Sequence, residues 1–158
     1  MDELAAAANA DPVDYRLRHL KDTRAHDVIK RVAGMAAWKS NQKTNGTRAI
    51  VTGKGIGFAR YKNNAAYIAV IAEVELTEEL RVTKLWCAFD AGQAIHADGV
   101  INQIEGGLIQ AVSFTLKEAV KYDRERVTQQ SWMTIRFCRS LKSRMLKSHS
   151  STTRSCRR

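Results

Sequence analysis

Apolar residues recur at helical spacing through the first forty positions of the chain. "DELAAAA" consists of strong helix formers, and "DPVDYRLRHL" begins with Asp11 as a suitable N-cap ahead of Pro12. A third helix is expected to begin at Asp22 or Thr23. Its apolar positions form one stripe: Ala25, Val28, Ile29, Val32, Met35 and Ala36. The pattern predicts three N-terminal helices.

The hydrophobic period changes to two after a polar break at 39–48. "GIGFARY" alternates in this way, and so does "AYIAVIAEVEL" (66–76), which places Glu73 and Glu75 on one face. The apolar residues of the other face are Ile68, Val70, Ala72, Val74 and Leu76. "TEEL" then connects to "RVTKLWCAFD" (81–90), so 66–90 is predicted to be an antiparallel hairpin.

Helical spacing returns at 98–120, where Asp98 can cap a long helix. "YDRERVTQQSW" then predicts a charged turn and one more strand. The stripe of the long helix consists of Ile101, Ile104, Leu108, Val112, Leu116 and Ala119. The element order predicts an α+β fold with N-terminal helices, antiparallel strands and a long helix packed on the sheet.

The formal net charge of +10 is concentrated at one end of the chain. Residues 135–158 contain eight of the 26 lysines and arginines and no acidic residue, which leaves 18 basic and 16 acidic residues in 1–134. We therefore expect a near-neutral domain over 1–134 and a basic, disordered tail over 135–158. Binding of the tail to a phosphate backbone is the alternative.

Several other features of the sequence favour structural roles over chemistry. "GKGIG" (53–57) lacks the spacing of a nucleotide-binding loop and is interpreted as a turn before a strand. Glu105 and Asp90 form no recognisable acid–base set, so surface or capping roles are favoured, and His96 is expected in a loop. No metal site is expected, because the histidines and cysteines lack ligand spacing. The tryptophans are expected in the core or an interface: Trp38, Trp86 and Trp132.

No apolar run is long enough for a transmembrane helix, and the acidic, alanine-rich N-terminus differs from a signal peptide. Contact with a membrane is therefore not expected, and the expected location is the cytoplasm.

Two adjacent glycines stand in the middle of the long predicted helix, in "GVINQIEGGLIQ" (99–110). Each of Gly106 and Gly107 costs a helix interior up to about 1 kcal/mol relative to alanine. Gln103 lies one turn before Gly107 on the same face and offers both a donor and an acceptor. Helix physics leaves two explanations open: close approach of a ligand, or tight packing of the helix on the sheet.

The chain resembles the molybdopterin-binding large subunit of the xanthine dehydrogenase/aldehyde oxidase family, especially the isoquinoline 1-oxidoreductase beta-subunit type. The resemblance covers about 2–134. The segments that carry it are "MDELAAAANADPVDYRLRHL", "GKGIGFARYKNNAAYIAVIAEVEL", "RVTKLWCAFDAGQAIHADGVINQIEGGLIQAVSFTLKEAV" and "RVTQQSWMT".

The resemblance implies an oxidoreductase that hydroxylates aldehydes or N-heterocycles with oxygen from water. It implies a molybdopterin cofactor, in many bacterial members the cytosine dinucleotide, and electron transfer through a partner iron–sulfur subunit. Gln103 inherits the family's contact with the pterin, and Gly106 and Gly107 would permit close packing beside the cofactor. The family's usual Asn-Pro before this helix is replaced by His96-Ala97.

The resemblance also indicates what this chain lacks. The family's large subunit is several times longer, and its active-site glutamate belongs to a Gly-x-Gly-Glu-type motif that is absent here, so no catalytic residue is assigned. A frameshift after Thr134 is our hypothesis for the basic tail. We expect a fragment that neither retains the cofactor nor turns over substrate alone. The alternative function is a nonenzymatic module with a nucleic-acid-binding tail.

Overall fold

A computed structural model describes residues 1–39, 45–47, 50–129, 131, 133, 135–137 and 146–150, and only the backbone for 45–47 and 146–150. The helices are α1 (Asp2–Ala7), α2 (Pro12–His19), α3 (Thr23–Met35) and α4 (Ala97–Leu116). The strands are β1 (Asn45–Thr47), β2 (Ile50–Tyr61), β3 (Ala66–Leu76), β4 (Leu80–Asp90) and β5 (Leu146–Ser150). This arrangement confirms the predicted α+β class.

The N-terminal helices begin where the sequence predicts them. The Asp11 side chain accepts hydrogen bonds from the backbone N–H groups of Val13 and Asp14, and Asp22 accepts one from Arg24. These acceptors satisfy donors that the first turn of a helix leaves unpaired. The buried Arg16 side chain donates to the backbone oxygen of Ile56 at 3.0 Å and thereby ties α2 to the sheet.

The sheet has the strand order β1-β2-β3-β4-β5, and its first four strands pair antiparallel. The predicted hairpin over 66–90 is confirmed as β3 and β4, with Ile71 opposite Trp86 and a register shift between Glu73 and Val74. The segment "GKGIG" lies inside β2 and is not a turn, so that interpretation was wrong.

Both faces of the sheet are covered by helices. The sequence pattern predicted only one buried face for β3, the face that carries Ile68 and Val70. Those two residues do pack towards α4. On the other face, Tyr67, Ala69 and Ile71 are buried against α3. The prediction missed this second core because Glu73 and Glu75 marked that face of β3 as polar, although the first part of the same face is apolar and buried.

The stripe of α4 packs on the sheet as predicted, with Leu108 beside Leu85, Cys87 and Phe89. The helix ends at Leu116, four residues before the predicted end at 120. Residues 117–129 contain a turn and one isolated bridge, between Tyr122 and Val127, where the sequence predicted a strand. None of the helices in the described ranges is both long and apolar enough to cross a bilayer.

Strand β5 pairs parallel with β4 and lies within the segment predicted to be a disordered tail. Those five residues therefore differ from the expectation. Apart from them and 135–137, residues 135–158 lie outside the described part of the chain, so the prediction of a disordered tail stays a prediction there.

Candidate functional site

The N-terminus of α4 is fixed by a histidine cap. The ring Nδ1 of His96 accepts a hydrogen bond from the backbone N–H of Gly99 at 2.7 Å. The predicted cap, Asp98, instead lies in the first turn, where its carboxylate accepts from Asn102. A Cβ at Gly99 would lie 2.5 Å from the His96 ring nitrogen, so the glycine allows the ring to approach the backbone. His96 thus substitutes for a more common cap, and the helix still begins there.

The outer face of α4 carries Gln103, Gly106 and Gly107, all of which are exposed to solvent. The opposite face carries Leu108 and packs on the sheet. The structure therefore brings the three predicted cofactor-binding residues together on one helix face, as their spacing of three and four residues requires. We call these three residues the outer α4 face.

The glycines of the outer α4 face do not serve packing within the described chain. A Cβ built on either Gly106 or Gly107 would meet no atom within 4 Å outside its own stretch of helix. Of the two explanations left open by the sequence, tight packing of the glycines on the sheet is therefore wrong for the described residues. What the glycines provide is an unobstructed strip of backbone beside the Gln103 side chain.

The loop before α4 is held by Asp90, the last residue of β4. Its Oδ1 accepts a hydrogen bond at 2.8 Å from the backbone N–H of Gly92, which has a φ of +72°. The same carboxylate receives two hydrogen bonds from Arg24 of α3, Nε to Oδ2 and Nη2 to Oδ1, both at 2.8 Å. Asp90 is thus a partly buried structural anion that holds a turn and an ion pair, so it has neither the surface role nor the helix-capping role expected from the sequence. Its contacts still favour a structural role over general acid–base chemistry with Glu105.

A second hydrogen bond stands beside this ion pair. The Tyr67 hydroxyl donates to the Asp22 carboxylate, and the Arg24 guanidinium lies 4.5 Å from the centre of the Tyr67 ring. That hydroxyl bond lowers the pKa of Asp22 and raises the pKa of Tyr67. The hydrogen bonds to Asp90 raise the pKa of Arg24. Sequence reasoning missed Arg24 and Tyr67, because their partners are 66 and 45 residues away and no local pattern marks them.

The described tryptophans and Cys87, which the sequence analysis also considered, have contacts that indicate structural roles. The indole of Trp38 donates to the Asp11 carboxylate, and Trp86 is buried with Lys54 and Lys84 near its ring. Trp132 lies outside the described residues. Cys87 is fully buried, and burial raises the pKa of its thiol to about 12. Across the described ranges, no three His, Cys, Asp or Glu side chains converge as metal ligands.

Comparison with known proteins identifies the family. Residues 1–142 match the family model described as a molybdopterin cofactor-binding domain. The chain is 38% identical over 144 residues to a nicotinate dehydrogenase subunit of Pseudomonas putida, a match that covers 84% of this chain and 12% of that protein. It is 37% identical over 125 residues to the beta subunit of isoquinoline 1-oxidoreductase from Brevundimonas diminuta, covering 77% of this chain and 15% of that protein.

Among solved structures, quinoline 2-oxidoreductase from Pseudomonas putida 86 is 26% identical, with a TM-score of 0.49, and the match covers 58% of this chain and 12% of that one. The chain thus spans a small part of the length of the relatives that it matches. The family model nevertheless matches most of this chain and includes the long helix with its paired glycines. The chain therefore belongs to the molybdopterin cofactor-binding domain family of the xanthine dehydrogenase type.

Proposed function

We propose that the outer α4 face forms one wall of a molybdopterin site in a molybdenum hydroxylase. The single observation that carries the proposal is the open backbone at Gly106 and Gly107 next to the exposed Gln103. Two glycines that weaken a helix, and that have nothing within 4 Å of a built Cβ among the described residues, are best explained by a ligand that approaches the helix from outside.

The described residues fit such a cofactor on one side. The Gln103 amide has two N–H donors and a carbonyl acceptor, which suit the polar edge of a pterin ring. Because glycine has no side chain, a flat ring system can approach the helix axis more closely at these two positions than at positions occupied by any other residue. Because no metal-ligating cluster occurs in the described ranges, a metal here would be carried by its organic ligand and not by these side chains.

Chemistry and binding are divided between the cofactor and the chain in this proposal. When bound, molybdopterin supplies the molybdenum at which enzymes of this type hydroxylate aldehydes or N-heterocycles. The chain contributes the contact from Gln103 and the open helix face at Gly106 and Gly107. We assign no catalytic residue to it. The cytosine dinucleotide form, an iron–sulfur partner subunit and a cytoplasmic location belong to the same proposal.

We also propose that this chain alone neither retains the cofactor nor turns over substrate, because one wall does not enclose a ligand. The matched region is 12% and 15% of the two relatives, so most of their length has no counterpart in the match. The alternative of a nucleic-acid-binding module gains no support from these relatives or from the solved structure, each of which is named as an oxidoreductase or dehydrogenase.

The proposal is tested by cofactor content in two settings. The purified chain should contain far less than stoichiometric molybdenum by mass spectrometry. When the chain is produced together with the unmatched part of the nicotinate dehydrogenase relative, in a host that makes the cofactor, the assembly should retain molybdenum and pterin. Gln103→Ala should lower that retention by about tenfold. The substitution removes a hydrogen-bonding contact between neutral groups that is worth about 1 kcal/mol, and the cofactor also loses part of its fixed orientation.

Thr115→Ala is the matched control, since Thr115 is an exposed α4 residue about a third of a turn away from Gln103 around the helix axis. Equal cofactor retention in the Gln103 and Thr115 variants would contradict the role of Gln103. Stoichiometric molybdenum in the chain alone would contradict the proposal that one wall is insufficient.

A further inference from the structure

Arg24 connects four separate parts of the fold at one point. Its guanidinium binds the Asp90 carboxylate through two hydrogen bonds, and its Nη1 donates to the backbone oxygen of Asn64 at 2.6 Å. It also lies over the ring of Tyr67, whose hydroxyl binds the cap of α3. The start of α3, the turn between β2 and β3, strand β3 and the end of β4 therefore meet at this side chain.

The loop that leads into α4 depends on this point. Residues 91–96 are exposed except for Ala94, which is half-buried, so little packing fixes their path. The Asp90 carboxylate holds the loop through the N–H of Gly92, while Arg24 holds the carboxylate against α3. The local turn from Asp90 to Gly92 needs only an acceptor, but its position relative to α3 depends on the bidentate contact with Arg24.

We infer that Arg24 is a positioning residue for the outer α4 face, acting through Asp90 and the loop at 91–96. The inference rests on the proposed function, because the position of α4 matters if its outer face binds a cofactor. A planar guanidinium is needed, because it holds both carboxylate oxygens in one orientation and still reaches the Asn64 carbonyl. A lysine would keep the charge but would lose that fixed fork.

Amide hydrogen exchange on the full chain tests the inference without any cofactor. In Arg24→Gln, amides of the loop and of the first turn of α4 should exchange about tenfold faster, while amides in the middle of β3 keep their rates. The reason is that three charge-assisted hydrogen bonds of the guanidinium, two to Asp90 and one to Asn64, are lost locally. Arg24→Lys should give an intermediate effect. Asp90→Asn should resemble Arg24→Lys, since the amide oxygen can still accept from Gly92.

Lys54→Gln is the matched control, because Lys54 of β2 is also a partly buried cation and its side chain reaches the C-terminal end of α3. Its Nζ donates to the carbonyl of Ala36, the C-cap of α3, and lies 3.7 Å from Glu73, whereas Arg24 lies in the first turn of α3. If the substitutions changed only the general stability, the same amides would exchange faster in the Lys54 variant and in the Arg24 variants. That result, or unchanged exchange at the loop in Arg24→Gln, would overturn the inference.

Position is measured directly with spin labels on exposed sites of α3 and α4, at Lys30→Cys and Gln110→Cys, with Cys138 and Cys156 replaced by serine. The distance distribution between the labels should broaden in Arg24→Gln, recover partly in Arg24→Lys and stay narrow in Lys54→Gln. An equally narrow distribution in all variants would overturn the inference. If Arg24→Gln does not fold, the lysine variant and Asp90→Asn decide the question by the same two measurements.

Neither measurement depends on cofactor retention. Failure of the positioning role would therefore leave the proposed function of the outer α4 face intact. Conversely, normal cofactor retention in Gln103→Ala would refute the proposed contact without changing the expected exchange pattern around Arg24.

Discussion

Replacing Gly106 and Gly107 by alanine should stabilise this chain. Both positions lie in the middle of α4, and a Cβ at either would meet no neighbouring atom within 4 Å. Alanine is therefore free of any clash in the described structure, and it retains its helix-propensity advantage over glycine of about 0.5–1 kcal/mol. Each substitution should raise the free energy of unfolding by that amount, and the double variant by about 1–2 kcal/mol.

Urea unfolding of the chain, followed by far-ultraviolet circular dichroism, measures this difference through the midpoint and slope. Thermal unfolding should show the same sign, at about 2–4 °C for each kcal/mol in a chain of this size. Gly34→Ala is a matched control, because Gly34 is also an exposed helical glycine with nothing within 4 Å of a Cβ, and it lies in α3. Its substitution should be neutral or stabilising as well.

A loss of stability in Gly106→Ala or Gly107→Ala would refute the reasoning. It would mean that the glycines make close contacts within the folded chain, and the packing explanation would return. Stabilisation would instead leave these glycines without a structural purpose in the chain, as expected where a binding surface is maintained at the expense of stability.

Three further predictions concern single side chains. Tyr67→Phe should lower stability most between about pH 4 and pH 10. The lowered pKa of Asp22 stabilises the folded chain above the unfolded-state pKa of Asp22, and the raised pKa of Tyr67 stabilises it below the unfolded-state pKa of Tyr67. An equal effect of the substitution at all pH values in urea unfolding would contradict this. Cys87 should resist thiol reagents at pH 8 until the chain unfolds, because it is buried and its thiol pKa is about 12; rapid labelling of the native chain, with the other two cysteines replaced, would refute it. His96→Ala should lower stability by about 1 kcal/mol while His96→Asn retains most of it, since asparagine also caps the Gly99 N–H; equal unfolding midpoints for the two variants would rule out the cap.

Local periodicity was sufficient to predict most of the secondary structure. The stripe from Ala25 to Ala36 and the alternation from 66 to 90 are set by neighbours in sequence, and α3, β3 and β4 appear where those patterns place them. The end of α4 and the absence of a strand in 117–129 were not predicted. Apolar spacing continues past Leu116, so the sequence alone does not show where the helix stops packing on the sheet.

The two-sided core was missed for a related reason. Alternation identifies one face of a strand as apolar, but Tyr67, Ala69 and Ile71 on the other face are also apolar and are buried by α3. Their burial depends on where a distant helix lies. Sequence neighbours contain no information on that position.

The candidate site divides in the same way. Gln103, Gly106 and Gly107 share a helix face by spacing alone, and the resemblance to a known family suggested their role. The cap at His96 was not predicted because imidazole is an uncommon acceptor at that position. The contact between Arg24 and Asp90 spans 66 residues and required the fold.

The central claim is that the outer α4 face is open because a cofactor approaches it. The most direct test is the molybdenum content of the assembly formed with the unmatched part of the nicotinate dehydrogenase relative, measured for the double variant Gly106→Ala, Gly107→Ala beside Gly34→Ala. We predict that the double variant loses molybdenum although its own fold is more stable, and that Gly34→Ala retains it. Equal molybdenum in the two assemblies would contradict the claim.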